Sequence, residues 1–294
     1  VIVCFGSLNA DLVFRLPEIP RSGQTLLADG LAVQAGGKGA NQAVAAARDG
    51  AAVAMAGAVG SDALAEVALS GLREAGADIA RVRSLAAATG CASIWIDAAG
   101  RNRIAVALGA NAQARADQIT DADLARATSL LLQMEVAMQE TAALLRRARA
   151  LGLRAILNLA PALPLDTDTL RLAGLLVVNE DEAEATALRL GCAPEATALR
   201  AALGIDVVRT LGEAGSEAAT QDGAWHVPAR VIDPVDTTAA GDCFVGVLAA
   251  ALDRGAPLRA AMERASVAAA LACGRRGSQA SLPRRAETDR ALGT

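Results

Sequence analysis

From about residue 120, short apolar runs alternate with helical stretches, and this alternation restricts the fold more than any other feature of the chain. Residues 129–134, 155–159, 175–178 and 206–210 are brief runs rich in Leu, Val and Ile that read as buried strands. Between them, residues 138–150, 180–190 and 194–203 carry helical spacing. Repetition of this kind builds βαβ units and a mostly parallel sheet covered on both faces. Ligands of such sheets bind at the carboxyl ends of the strands. Asn9, Glu135, Asn158, Asn179 and Thr210 each follow a predicted strand and are placed to meet one.

The first third mixes strands with turns. Residues 1–5 form a predicted strand ending at Gly6, and 11–16 and 24–33 are extended segments around the turn 20–23. Gly36-Gly37-Lys38-Gly39 then opens an Ala-rich helix over about 40–49, followed by a strand at 51–58 and a helix at 62–75. Residues 89–109 read as a hairpin, with strands 92–96 and 103–108 around the turn 97–102. Together with the early extended segments, this hairpin would make a small sheet separate from the main one. No repeat, linker or low-complexity tail divides the chain, so residues 1–294 are expected to form one α/β domain with an excursion.

Hydrophobic residues make up 53% of the chain and aromatics 2%, with no Tyr, so the core must be Ala, Leu, Val and Ile. A net charge of −4, scattered arginines and the lack of base-stacking aromatics argue against a nucleic-acid partner. Gly, Arg and Asp interrupt every apolar run before it reaches membrane-spanning length. The start reads as a strand rather than a leader, and the missing initiator Met points to a natural chain beginning a few residues earlier. Five dispersed cysteines without a C-x-x-C pair fit buried thiols in a reducing cytoplasm. His226 is the only histidine, which argues against Ser-His-Asp catalysis and His-based metal sites.

Asp236-Thr237-Thr238-Ala239-Ala240-Gly241-Asp242 leads into an apolar helical run. A small-residue turn opening onto a helix directs backbone N–H groups and the positive helix end at one point, which suits a phosphate. Asp242 puts a carboxylate where a hydroxyl would attack that phosphate, the minimum for phosphoryl transfer to an alcohol. Read alone, the same residues also make an ordinary helix start, because Asp in a first turn complements the dipole. Gly36 to Gln42 lets a ligand approach the backbone and offers Lys38 and Asn41 at a helix mouth. It matches neither the G-x-x-x-x-G-K-[ST] loop nor the G-x-G-x-x-G fingerprint. Asn9 and Asp11 are two apart, so in extended backbone they share a face and can reach one polyol; an Asx turn would use them equally. Asn179 and Glu182 stand three apart at a helix start, where acids complement the dipole or orient Mg²⁺ through its waters. Thr210 to Gly215 is a strand-to-glycine turn suited to nucleotide phosphates.

These segments occur in the order found in the ribokinase/PfkB family of sugar kinases, which the chain resembles from its first strand to about Pro283. Leu132-Gln133-Met134-Glu135 and Asn158-Leu159-Ala160-Pro161-Ala162 extend the match, and Asn9-Ala10-Asp11 favours an unphosphorylated pentose. The resemblance implies a three-layer α/β fold with a β-sheet lid from about 11–35 and 89–109, and ATP-dependent phosphorylation of D-ribose at its 5-hydroxyl. It would make Asp242 the base and Ala239, Ala240 and Gly241 the anion hole. Asn9, Asp11, Gly36, Gly37, Lys38, Asn41 and Glu135 would hold the sugar. Asn179, Thr210, Gly212, Gly215, Gly241 and Ser266 would meet ATP, with Glu182 reaching Mg²⁺ through water. Asp236, Thr238, Ala272, Arg275, Gly277 and Ser281 would surround an activating K⁺, chiefly with carbonyls. Two lids would clasp into a homodimer, with no nucleic acid or membrane involved. Ser266 departs from the His or Asn that the family commonly places near the adenine, and Thr238 and Cys243 are mild departures beside the catalytic turn. Kinases of deoxyribose, fructose or nucleosides are the alternatives within the family. A non-catalytic sugar sensor is the alternative outside it, against which the retained Asp242 and Lys38 count.

Overall fold

In the computed structural model, which describes residues 1–98 and 101–293, the alternation of side chains along each strand sets the layers. The strands are β1 (Ile2–Phe5), β2 (Asn9–Arg15), β3 (Gly30–Gly36), β4 (Val53–Gly60), β5 (Asp78–Leu85), β6 (Gly90–Ile96) and β7 (Asn102–Ala107). They continue as β8 (Ser129–Leu132), β9 (Arg154–Asn158), β10 (Leu175–Val178), β11 (Asp206–Thr210), β12 (Ser216–Thr220) and β13 (Gly223–Val227). A 9-stranded sheet has the order β13-β12-β11-β10-β9-β8-β1-β4-β5, and a 4-stranded sheet the order β3-β2-β6-β7. From β11 to β5 all neighbours in the large sheet run parallel. Only β12 and β13 fold back antiparallel at one edge.

Ile2 and Cys4 of β1 enter one apolar cluster with the helices Lys38–Arg48, Leu64–Glu74, Ala240–Asp253 and Leu258–Cys273. Val3 and Phe5 enter a second cluster with the helices Met138–Ala150, Glu180–Leu190 and Ala196–Leu203. One strand thus feeds two cores, and the result is helix, sheet and helix in three layers. Among the described residues, no helix is long and apolar enough to cross a membrane.

Three local expectations need correction. The extended segment expected at 24–33 is a strand only from Gly30, with 24–29 in a loop. Strand β5 was not anticipated, because Asp78, Arg81 and Arg83 hide its pattern. It is an edge strand whose charges pair outward, Arg81 with Asp78 and Asp123 and Arg83 with Asp117. The β12–β13 hairpin was missed as well. The hairpin expected at 89–109 is β6 and β7, and residues 99 and 100 of its turn lie outside the described residues.

One helix contact positions the site. A Cβ at Gly246 would stand 2.4 Å from Gln42 O, so glycine is required for the helices Lys38–Arg48 and Ala240–Asp253 to pack this closely. One turn before Gly246 lies Asp242, and the same contact brings Asn41 and Gln42 against it.

Candidate active site

Ala239 precedes the helix Ala240–Asp253 in the left-handed region, at φ 58°, the one non-glycine residue there among those described. That conformation costs an L-residue roughly 1–2 kcal/mol, so the turn is held by its bonds. Ala240 N–H donates to Thr237 O at 3.2 Å, and Cys243 N–H closes the first turn on Ala239 O at 2.8 Å. No side chain caps this helix end. First-turn N–H groups point out along a helix axis, and beyond its chain neighbours and its own helix backbone no atom lies within 4 Å of where a Cβ of Gly241 would stand. Room and donors for an anion coincide.

Residues 239–242 line a cavity of about 240 Å³ with Lys38, Asn158, Asn179, Glu182 and Thr210. A larger cavity of about 430 Å³ opens beside Ser129, Arg154 and Asp253, at the amino ends of β8 and β9. Ligands of parallel sheets bind at the opposite end, so position rather than size selects the smaller cavity.

Glu182 and Asp242 line it, and Asp11 and Glu135 stand close enough to act on Asp242 and Lys38 electrostatically. Asp242 is buried and accepts from Asn41 Nδ2 on Oδ2 and from Gln42 Nε2 on Oδ1, both at 2.9 Å. Glu135 Oε2 accepts from Ser7 Oγ at 2.6 Å and from Lys38 N–H at 3.0 Å. Burial pushes the Asp11 carboxyl up to about 7, and the charges of Glu135 and Asp242 push it the same way. The Asp242 charge raises the Lys38 ammonium above its ordinary range against partial burial, with Glu135 and Glu182 adding to the rise. Lys38 is the only lysine of the chain, every other Lys/Arg position being arginine. An ammonium is a compact point charge that fits where a planar guanidinium does not.

The sugar-side residues come together at the start of β2. Asn9 pairs with Gly36 across β2 and β3. Gly37 caps the helix Lys38–Arg48 at φ 89°, and a Cβ there would stand 2.8 Å from Asn9 N. Asn9 Oδ1 accepts from Asn111 Nδ2 at 2.8 Å, while Asn111 Oδ1 accepts from Leu8 N–H at 2.9 Å.

On the nucleotide side, Asn179 and Glu182 form a capping box. Asn179 Oδ1 accepts from Glu182 N–H at 2.8 Å, and Glu182 Oε2 from Asn179 N–H at 2.9 Å. The capping reading therefore holds, and both side chains also line the cavity. Burial raises the Glu182 carboxyl, partly offset by the Asn179 N–H and by Lys38. Thr210 lines the cavity, but Gly212 and Gly215 lie in the turn beyond it. Ser266 is not brought to the cavity; its hydroxyl donates to Pro228 O at 3.5 Å.

Asp236 ties two segments together, accepting from Thr238 N–H and Gly277 N–H at 2.9 Å each. Burial raises this carboxyl, yet those two donors outweigh it and leave it below the ordinary range. Arg275 N–H donates to Ala272 O at 3.0 Å, the Arg275 guanidinium pairs with Glu287, and Ser281 Oγ donates to Ser278 O at 2.8 Å. Carbonyls and one carboxylate are a hard donor set, suited to an alkali or alkaline-earth cation rather than a transition metal.

Residues 1–285 match the pfkB family of carbohydrate kinases. The chain belongs to that family. It is 34% identical to ribokinase of Schizosaccharomyces pombe, over 98% of this chain and 96% of the relative. It is 33% identical to deoxyribokinase of Salmonella typhimurium, over 96% of this chain and 95% of the relative. A solved structure of Arabidopsis thaliana ribokinase complexed with ribose and ATP superposes with a TM-score of 0.89 at 28% identity, covering 100% of this chain and 98% of that one.

Reading the pfkB motifs alone missed the residues behind them. Ser7, Asn111, Gln133 and Gln279 are buried and bond directly to Glu135, Asn9, Gln42 and Asn41 respectively. The signal was available, since each is a polar residue set among apolar or small neighbours.

Proposed function

We propose that the chain transfers the γ-phosphoryl group of ATP to the 5-hydroxyl of D-ribose, giving D-ribose 5-phosphate and ADP. One observation carries this reading. A buried carboxylate, Asp242, sits in the first turn of an uncapped helix that opens on a cavity also lined by the only lysine. Asp242 takes the hydroxyl proton as the oxygen attacks, and the N–H groups of Ala239 and Gly241, joined by that of Ala240 once it leaves Thr237 O, hold the phosphoryl oxygens as charge develops. Asn9, Asp11, Gly36, Gly37, Lys38, Asn41 and Glu135 hold the sugar, and Asn179, Thr210, Gly212, Gly215, Gly241 and Ser266 the nucleotide.

Glu182 would hold the nucleotide's Mg²⁺ through water, an ion that would supply charge neutralisation at the phosphates. Oxygens of Asp236, Thr238, Ala272, Arg275, Gly277 and Ser281 would hold K⁺, whose charge would steady the turn that forms the hole. The small sheet acts as a lid that keeps water from competing for the phosphoryl group. It exposes apolar side chains on both faces, Leu31, Val33 and Trp95 on one and Ile104 and Val106 on the other, which supports a homodimer joined through the lids. Unpaired cysteines are in keeping with a cytoplasmic enzyme.

Likeness to a deoxyribokinase favours a second reading, 2-deoxyribose as substrate. The 2-hydroxyl separates the two. A site that hydrogen-bonds a hydroxyl rejects the analogue lacking it, because a buried polar group is left unpaired. ADP release is measured with ribose, 2-deoxyribose, fructose and adenosine, with and without K⁺. Ribose is expected to give the highest kcat/KM. Turnover on none of the four would sink the kinase reading, and turnover on adenosine alone would sink the sugar.

A further inference from the structure

A line of buried amides runs from Asp242 to the main chain of β10. Val177 O can only accept, and Asn158 Nδ2 donates to it at 3.1 Å. Asn158 Oδ1 is thereby turned toward Gln42, whose Nε2 donates to it at 2.9 Å. The second proton of that Nε2 goes to Asp242 Oδ1 at 2.9 Å. On the far side of the same amide, Gln42 Oε1 accepts from Gln133 Nε2 at 2.7 Å. All three amide residues are buried.

An amide's two ends are nearly equal in size and differ only in whether they donate or accept. If Gln42 turned over, its oxygen would face those of Asp242 and Asn158, and its NH₂ would face that of Gln133. The direction of the line is therefore imposed by a sheet carbonyl at one end and an acceptor-only carboxylate at the other. Asn41 grips the second carboxylate oxygen at 2.9 Å and is itself oriented by Gln279 Nε2 on its Oδ1 at 3.1 Å.

We infer that Gln42 is a positioning residue that holds the Asp242 carboxylate in the orientation that takes the hydroxyl proton, and that Asn158 and Gln133 fix which end of Gln42 faces it. This rests on the proposed role of Asp242 as base. Gln42 is fully buried and does not line the cavity; it acts by keeping the carboxylate plane where the sugar hydroxyl arrives. Misplacing a reacting group by about 1 Å costs on the order of 100-fold.

The test is steady-state ADP release with ribose between about pH 5 and pH 9, alongside sugar binding by calorimetry and thermal melts. Gln42→Met keeps the shape and removes the donor; kcat falls roughly 10- to 100-fold while sugar affinity stays within about 3-fold. Gln133→Met lowers kcat by less, about 3- to 10-fold. It also removes an Oε1 that has no hydrogen-bond partner, so it keeps the test open if Gln42→Met does not fold. Gln42→Glu sets a second carboxylate against Asp242, in a site already facing Lys38, Asp11, Glu135 and Glu182. Sharing one proton moves the acid limb of kcat up by about 1 pH unit or more. An active wild type with kcat unchanged in Gln42→Met, or lost together with sugar affinity and melting temperature, overturns the inference alone. A wild type inactive on every sugar overturns the proposed function and the inference with it.

Discussion

The helix Lys38–Arg48 ends in two sites of opposite character. At its carboxyl end, Asp49 is buried and accepts from Arg254 at 2.6 Å and from Arg264 at 2.5 Å, and Arg264 also reaches Asp289. At its amino end, about 16 Å away by helix geometry, Asp11, Glu135 and Asp242 gather around Lys38. Among the described residues no ion pair joins Lys38 to any of them. Both ends suit the helix dipole, with carboxylates at the amino end and guanidinium groups at the other. Where the chain needs a stable joint it neutralises its buried acid with cations. Where it needs chemistry it holds the acids with amides and N–H groups, and leaves them able to accept protons from a ligand.

Removing the base is the strongest way to test that contrast. Asp242→Ala is expected to lower kcat by about 10³-fold without lowering the melting temperature, because it relieves carboxylate crowding. Steady-state ADP release and a thermal melt check it, and a variant with normal kcat removes Asp242 from the mechanism. At the other end, Asp49→Ala should cost about 3 kcal/mol, since two guanidinium groups lose their buried partner. Urea unfolding reads that loss, while kcat per folded molecule stays near wild type. Loss of kcat there as large as for Asp242→Ala would erase the distinction between the ends.

Asp11 sharpens the comparison through pH. Its carboxyl lies near 3.8 in a model peptide and about 7 in the fold. Between those values the folded chain binds more protons than the unfolded one, so this group's contribution to stability falls as pH rises through the window and is fully adverse above it. Asp11→Asn should therefore raise stability by on the order of 1–2 kcal/mol near pH 8 and change it little near pH 4, read from unfolding curves at both. The same variant should weaken sugar binding, as a group kept for function at the expense of the fold does. Smallest is the capping box: Asn179→Ala is expected to cost about 1 kcal/mol, with a rise in the KM for ATP. An unchanged KM would confine Asn179 to its structural role.

Much of this was legible before any coordinates. The alternation after residue 120 locates β9, β10 and β11 within a residue, because a parallel strand buried on both faces is a plain apolar run. Edge strands were not legible. β5 carries charges that pair with distant partners and β13 is largely exposed, while β12 inside it is masked by Ser216, Glu217 and Thr220 although Ala218 and Ala219 are buried on opposite faces. Within the site, the glycine-rich loop, Asn179 with Glu182, and the turn 236–242 stood out through spacing. Ser266 stands outside the lining of this cavity, against Pro228 O, a placement set by how the helix Leu258–Cys273 packs rather than by any local pattern.

By itself the sequence determined the parallel core, the small-residue turn at 239–241 and the carboxylate placed beside it. Each is written within about ten consecutive residues, where strand period, helix period and turn chemistry act. Only the tertiary structure decided which acids stay out of a direct ion pair and which amides hold them. Asn41 and Asp242 meet across 201 positions, and Ser7 and Glu135 across 128. A buried polar group takes its partner from whatever packing brings near, and its charge state from how completely water is excluded. Neither is a property of neighbouring residues along the chain.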